Sequence, residues 1–288
     1  MKYILLVGDG MGDLPVPELD NKTPLEAANK PIIDTLAKQG ELLLTRTVPE
    51  GYHPGSDVAN LSLLGYEPEK YYTGRAPLEA ASMGVTIAPD ELAYRCNLVT
   101  IDQEGDKVIM RDFSAGHVST QEANQLIEAI QASCGNEHLK LYAGISYRHL
   151  MVYKNNTPPF ETVPPHDYMD KDVTRFYNDY LKNEIFKELL EKSRDILDKH
   201  PDNQQRIQQG LKPANSIWPW GQGRPLKMES FQNRYGLTGS LISAVDLLKG
   251  IAVCSGLEVI NVEGATAWLD TNYEGKANAA LKALKEKD

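Results

Sequence analysis

Cysteine is scarce in this 288-residue chain. The three present, Cys96, Cys134 and Cys254, show no CxxC spacing, which fits reduced thiols in a cytoplasm better than a disulfide frame. Long apolar runs are missing too. None approaches the roughly 20 residues of a membrane helix. The first run, residues 3–7, is too short for a secretory signal and leads into Gly8-Asp9 instead of a small-residue cleavage site. Basic residues are outnumbered, 30 Lys and Arg against 40 Asp and Glu, for a formal charge of −10. That balance argues against nucleic acid as a partner, because such binding depends on neutralising phosphates. A small anion held by a few arginines stays possible. No Walker-type loop is present. Gly8-Asp9-Gly10-Met11-Gly12 is no dinucleotide fingerprint, since the third required glycine is Asp13 and Leu14-Pro15-Val16-Pro17 cannot open the helix that would hold a pyrophosphate. What remains is 41% hydrophobic and 24% charged, the composition of a folded protein long enough for a full core. The expectation is a soluble, cytoplasmic α/β enzyme without a membrane span.

Local patterns give an order of elements. Residues 3–7 read as a strand buried on both faces. Thr23-Pro24-Leu25-Glu26 is a capping box with proline at the first helical position. A helix from Pro31 to Gln39 should close at Gly40, and Leu42-Leu43-Leu44 should be a second buried strand. This β-α-β order predicts a parallel sheet. A further helix is expected over 57–64. From about Tyr94 the texture changes to short strands, at 95–101, 107–111, 140–143 and 149–153. Ser119-Thr120-Gln121-Glu122 caps a helix through Ile130 among them. A proline-rich loop at 157–165 leads to helical sequence over 173–199. These features predict an α+β unit inserted into the first. After Ser216 buried-strand texture returns, with a helix over 240–249, a strand over 257–262 and an amphipathic helix over 275–285.

Two segments carry the chemistry. Asp9 follows the first strand, where acids of open α/β sheets line the ligand crevice, and flanking glycines permit close approach. It reads as a metal ligand or as a turn residue. Ser56, in His53-Pro54-Gly55-Ser56-Asp57, opens a helix. It reads as an ordinary cap or as a phosphoryl acceptor near free amides and the positive helix end, activated by a metal.

Asp9-Gly10-Met11-Gly12 followed by Gly55-Ser56-Asp57-Val58 resembles the alkaline-phosphatase superfamily. More closely, the chain resembles the archaeal-type, 2,3-bisphosphoglycerate-independent phosphoglycerate mutases. The similarity runs through Tyr72-Thr73-Gly74-Arg75-Ala76-Pro77-Leu78-Glu79-Ala80, Arg95-Cys96-Asn97, Phe113-Ser114-Ala115-Gly116-His117 and Ser146-Tyr147-Arg148-His149. It continues through Trp218-Pro219-Trp220-Gly221-Gln222-Gly223-Arg224, Gly264-Ala265-Thr266 and Asp270-Thr271-Asn272-Tyr273. The resemblance implies a mostly parallel phosphatase-like core at 1–88 and 214–288, with an inserted substrate domain at 89–213. It implies interconversion of 3- and 2-phosphoglycerate through a phosphoserine at Ser56. Two divalent ions (manganese, magnesium or zinc) would serve the site, with Asp9 and Ser56 as ligands. Arg148 and Arg224 suit the substrate's carboxylate and phosphate, since guanidinium forks match both, although interdomain ion pairs would use them equally well. His117 is a candidate for proton transfer or substrate orientation, and Lys276 a weaker substrate contact. His53, His149 and His166 lie near these segments without an assigned role.

The chain departs from the family pattern in one respect. An Asp with a His a few residues on, an adjacent Asp-His pair and a further His normally complete the two metal sites, and residues 1–288 contain no such set. The sequence therefore predicts an incomplete sheet and a truncated chain that does not turn over alone. A phosphatase or another phosphomutase on the same core, and a non-catalytic fragment that binds an anionic metabolite, are the competing readings.

Overall fold

The computed structural model describes residues 1–155 and 160–288. The front of the proline-rich loop, at 157–159, lies outside the described residues. The chain divides into two compact units, residues 1–68 with Asp288 and residues 69–287.

The first unit holds a 3-10 turn, Pro17–Leu19, and helices α1 (Pro24–Ala27), α2 (Pro31–Gln39) and α3 (Ser56–Leu63). The capping box is present. Thr23 Oγ1 accepts the Glu26 N–H at 3.2 Å, and Glu26 Oε2 accepts the Thr23 N–H at 2.8 Å. Proline opens α2, and Gly40 ends it in an extended conformation with its N–H on the Leu36 carbonyl at 2.8 Å. The strands expected at 3–7 and 42–44 do not form. Among the described residues neither segment joins a ladder, and Leu6, Leu42 and Leu44 are at least 80% exposed. An apolar run encodes the tendency to be buried in a sheet, but a strand exists only when a neighbour supplies the other half of its hydrogen bonds.

A short helix, α4 (Pro68–Tyr71), straddles the boundary. The second unit contains the strands β1 (Leu92–Glu104), β2 (Lys107–Asp112), β3 (Leu139–Ile145), β4 (Arg148–Tyr153), β5 (Lys171–Asp172) and β6 (Ser216–Gly223). They form one sheet in the order β3-β4-β1-β2-β5, with β6 also paired to β1, and every pairing is antiparallel. Five of the sheet's six strands fall within 89–213, where short strands of an α+β unit are expected, whereas the mostly parallel sheet expected over 1–88 and 214–288 is not formed among the described residues. Among the described residues, parallel pairing is confined to β7 (Ser240–Ile242) with β8 (Glu258–Ile260). The helix expected over 240–249 divides accordingly: its first three residues are β7, and α11 runs from Asp246 to Ser255.

Strand β1 organises the unit. Its first part pairs with both β4 and β6, and its last residues with β2, so Leu92–Ile101 is buried throughout. One face, through Tyr94, Cys96 and Leu98, joins Leu126, Ile127 and Ile130 of α6 (Thr120–Cys134) and Phe186, Leu189 and Leu190 of α8 (Glu184–Lys199). Burying side chains of this size contributes about 1.5–3 kcal/mol each. On the other face Ala93, Leu150 and Val152 pack on Ala76 and Ala80 of α5 (Ala76–Ser82). Small residues on α5 bring that helix close to the sheet, which carries Glu79 down onto β1. Helices α7 (Thr174–Leu181), α9 (Pro201–Gln208), α10 (Phe231–Tyr235) and α12 (Tyr273–Ala283), with a second 3-10 turn, Pro165–Tyr168, complete the described elements. None of the described helices is long and apolar enough to cross a membrane.

Candidate functional site

Asp9 and Ser56 lie 47 residues apart in sequence, and the first unit brings them into contact. The Ser56 hydroxyl donates to Asp9 Oδ2 at 2.8 Å. Ser56 is the first residue of α3, with Gly55 extended before it, so its Oγ stands at the amino end of a helix, where the partial positive charge favours an anion. Asn60 Nδ2 donates to the Ser56 carbonyl at 2.8 Å, and Asp57 Oδ1 takes the Val58 N–H at 3.0 Å. Those bonds fix the first turn and leave the Ser56 hydroxyl on Asp9. The cap position of α3 is Gly55, no side chain makes a capping bond there, and the Ser56 hydroxyl is turned to Asp9. A serine O–H held by a carboxylate has a route for its proton when the oxygen attacks.

Divalent ions would find Asp9 Oδ2 and Ser56 Oγ here, hard oxygen donors of the right kind. Two donors do not make a site. Among the described residues no group of three or more His, Cys, Asp or Glu side chains is placed to hold a metal. The residues present do not fit a two-metal centre, and no step is derived through one.

The second unit presents His117 on a turn of unusual geometry. Ala115, Gly116 and His117 all have positive φ, at 49°, 65° and 51°. Non-glycine residues adopt that region at a cost, and they keep it only where the surroundings impose it. Here they do. Asp112 Oδ1 accepts the Ser114 N–H at 2.8 Å and its hydroxyl at 2.6 Å, and Ser114 Oγ accepts the His117 N–H at 3.1 Å. Lys212 Nζ donates to Asp112 Oδ2 at 3.1 Å. Burial alone would raise the Asp112 pKa, but the bonds from Ser114 and Lys212 outweigh it and hold the carboxyl below its usual range. Buried Arg206 donates to the Ala115 carbonyl at 2.7 Å and bridges to Glu122 at 3.2 Å. The His117 ring itself is exposed and stands edge-on to Tyr147, 6.5 Å between centroids.

Aromatic contacts run on from that turn. Tyr147 meets Phe113 at 5.4 Å, Phe113 meets His166 at 6.1 Å, and His166 meets Trp220 at 5.3 Å. Arg148, exposed at the start of β4, has its guanidinium over the Tyr147 ring at 5.6 Å and makes no ion pair among the described residues. At the other end, Arg95 of β1 stacks on Trp220 at 4.2 Å and pairs with Glu79 at 2.8 Å, and Arg75 reaches the same carboxylate at 3.3 Å. His117 and Arg148 therefore share Tyr147. Arg224 is exposed, and its carbonyl accepts the Thr73 hydroxyl at 2.6 Å. Lys276 sits half-buried in the first turn of α12, with no hydrogen bond or ion pair to His117, Arg148 or Arg224 among the described residues. His149 is structural: it is buried in β4, and its Nδ1 accepts the Gly144 N–H at 3.1 Å.

Sequence reasoning missed Glu79, Arg95, Trp220 and Arg206. Arg75, Glu79, Arg95 and Trp220 all fall inside segments that carry the family resemblance, but charged residues on a helix and a strand give no local sign that they meet. Arg206 lies in none of those segments, and nothing in its surroundings in sequence marks it.

The family of 2,3-bisphosphoglycerate-independent phosphoglycerate mutases matches residues 37–203. A 2,3-bisphosphoglycerate-independent phosphoglycerate mutase of Methanosarcina barkeri is 52% identical over 289 residues, covering 100% of this chain and 72% of its own length. The Geobacter sulfurreducens probable 2,3-bisphosphoglycerate-independent phosphoglycerate mutase is 51% identical, with the same 100% and 72% coverage. Among solved structures, a Pyrococcus horikoshii protein superposes with a TM-score of 0.75 at 29% identity, over 97% of this chain and 66% of that one. The cofactor-independent phosphoglycerate mutase of Thermoplasma acidophilum gives 0.54 at 28% identity, over 97% and 73%. With half of its residues shared along its full length, and with the paired Asp9 and Ser56 in place, this chain belongs to the family of 2,3-bisphosphoglycerate-independent phosphoglycerate mutases.

Proposed function

We propose that this chain serves the interconversion of 3-phosphoglycerate and 2-phosphoglycerate, an isomerisation in which Ser56 carries the phosphoryl group between the two hydroxyls. The observation that supports it best is the 2.8 Å hydrogen bond from the Ser56 hydroxyl to Asp9 at the amino end of α3. Attack by Ser56 Oγ on phosphorus breaks the bond to one glycerate oxygen and forms a phosphoserine. The neighbouring glycerate hydroxyl then attacks in turn, which regenerates the serine. Asp9 holds the serine proton, and the phosphoserine oxygens meet the positive end of the helix. Divalent cations would draw on Asp9 and Ser56 for part of their ligand set. Residues 89–213 read as the substrate domain, with His117 orienting the glycerate or moving its proton, and Arg148 and Arg224 holding its anionic groups. Lys276 is a further, more remote candidate for such a contact.

A second reading is favoured by the shortage of metal donors among the described residues: the chain binds the metabolite without turning it over. Phosphorus NMR of 3-phosphoglycerate incubated with the chain and magnesium separates the possibilities. Growth of a 2-phosphoglycerate signal is the expected result for the mutase reading. Release of inorganic phosphate would replace it with a phosphatase, and line broadening without conversion would leave binding alone.

A further inference from the structure

The segment Tyr72-Thr73-Gly74-Arg75-Ala76-Pro77-Leu78-Glu79 belongs to the family pattern, yet the phosphoryl-transfer reading gives it no task. In the structure it builds a bracket of two arginines around one carboxylate. Glu79 Oε1 accepts Arg75 Nε at 3.3 Å, and Glu79 Oε2 accepts Arg95 Nε at 2.8 Å. Each guanidinium is thus held through its Nε. The terminal amino groups of both donate no hydrogen bond among the described residues. For Arg95 this matters, because the residue is only 5% exposed. The side chain is desolvated along most of its length, while its terminal nitrogens are not among the buried polar atoms left without a partner and so stay within reach of solvent. The Arg95 pKa reflects it: burial pulls it down, Glu79 pushes back, and the nearby charges of Arg75 and Arg148 lower it further. Three guanidinium groups with one carboxylate among them leave an excess of positive charge beside the Trp220 ring.

The bracket is also mechanically fixed. Gly74 has φ of +144° at a point where a Cβ would run into the Gln222 carbonyl. A Cβ on Gly223 would come within 2.6 Å of the Thr73 carbonyl. The two backbones therefore touch, and the Thr73 hydroxyl locks onto the Arg224 carbonyl at 2.6 Å. Trp220 Nε1 donates to buried Asn97 at 2.9 Å, which holds the ring under both arginines. Two paired glycines, a threonine and a tryptophan position Arg75 and Arg95, while among the described residues nothing uses their outer donors.

We propose that Arg75 and Arg95 form an oxyanion-binding bracket for the carboxylate or the phosphate of the substrate, with Glu79 as the positioning residue that aligns the two forks. This deepens the phosphoglycerate reading and rests on it for the identity of the ligand. Unfilled fork donors in a partly desolvated setting suit bidentate recognition of a carboxylate or phosphate.

Calorimetric titration with 3-phosphoglycerate, glycerate and inorganic phosphate tests the bracket. Arg75→Met is the main variant, because Arg75 is one-third exposed and its loss spares the core. Arg95→Lys keeps the buried charge but removes the fork, and far-ultraviolet circular dichroism checks that each variant is folded. The expected result is binding of phosphoglycerate by the wild type, weakened roughly ten- to a hundredfold by Arg75→Met and by Arg95→Lys. Glu79→Gln should weaken binding in the wild-type background and weaken it less in Arg75→Met, where only the Arg95 fork remains to be aligned. A merely structural Glu79 would weaken both alike. Glycerate bound with the same dependence on Arg75 assigns the bracket to the carboxylate, and inorganic phosphate bound that way assigns it to the phosphate. Unchanged phosphoglycerate affinity in Arg75→Met overturns the bracket and leaves the mutase reading standing. Arg75-dependent binding of inorganic phosphate without any binding of phosphoglycerate upholds the bracket and overturns the mutase reading. A wild type that binds none of the three overturns both.

Discussion

A single serine hydroxyl turned toward a single carboxylate carries most of what this chain says about its chemistry. Taken separately, Asp9 and Ser56 each have an ordinary explanation, as a turn residue and a helix cap. In the structure Gly55 takes the cap position of α3, and the Ser56 hydroxyl donates to Asp9. Other residues show how burial sets chemistry aside. Cys96 is fully buried, and its thiol is pushed up to about 12, so it is a core residue and not a nucleophile. His149 is the more informative case. Its Nδ1 accepts a backbone N–H, its Nε2 has no partner among the described residues, and burial pushes its pKa down to about 3. The unfolded chain binds a proton at this residue below about pH 6.5. The folded chain does so only near pH 3. Stability is therefore complete above pH 6.5 and falls as the pH drops toward 3, by up to about 1.4 kcal/mol per pH unit from this residue. Between pH 7 and pH 5, His149→Phe should lose about 2 kcal/mol less stability than the wild type in denaturant titrations. Equal losses would show that His149 does not titrate on unfolding.

At the scale of elements, local signals were legible and partnerships were not. The capping boxes at Thr23 and Ser119 form as their sequences indicate, because four consecutive residues contain everything they need. The strands around the turn after Gln103, and those near Leu141 and Leu150, are also where alternation puts them. Leu42-Leu43-Leu44 failed as a strand for the opposite reason: its partner would have to come from elsewhere in the chain, and no local pattern specifies it. Ser240 was read as helical because apolar spacing in Leu241-Ile242 continues into α11, while its hydrogen-bonding partner, Glu258, is 18 residues away. The His117 turn was legible as a motif but not as a structure, since its support comes from Arg206, 89 residues further on. That support is testable. Arg206→Met keeps the length of the side chain but leaves the Ala115 and Lys212 carbonyls without their donor. It should cost on the order of 2–3 kcal/mol, with faster amide exchange at Ser114 and His117. Lysine at the same position should recover only part, because one ammonium cannot serve acceptors that a fork spans. Native exchange at those two amides in Arg206→Met would show that the turn holds itself.

For the whole molecule, the family was legible because its motifs are long and ordered, and the sheet was not, because parallel pairing depends on which strands are brought together. The chain covers 72% of the length of the Methanosarcina barkeri and Geobacter sulfurreducens mutases. Within that span the first unit holds the serine and its carboxylate, and the second holds the His117 turn, Arg148 and the Arg75–Arg95 bracket. Phosphoryl transfer asks for a nucleophile and for cationic groups that recognise a small trianion, and both are present in residue type and local geometry. The central claim is that Ser56 is the phosphoryl carrier. Acid quenching of the chain after incubation with 3-phosphoglycerate and manganese, followed by mass spectrometry of the peptide containing Ser56, tests it most directly. Phosphoserine at Ser56 is expected, and it should disappear in Ser56→Ala, with the fold retained by circular dichroism. An acid-stable phosphoryl group that persists in Ser56→Ala, or a wild type with none at Ser56, would contradict it.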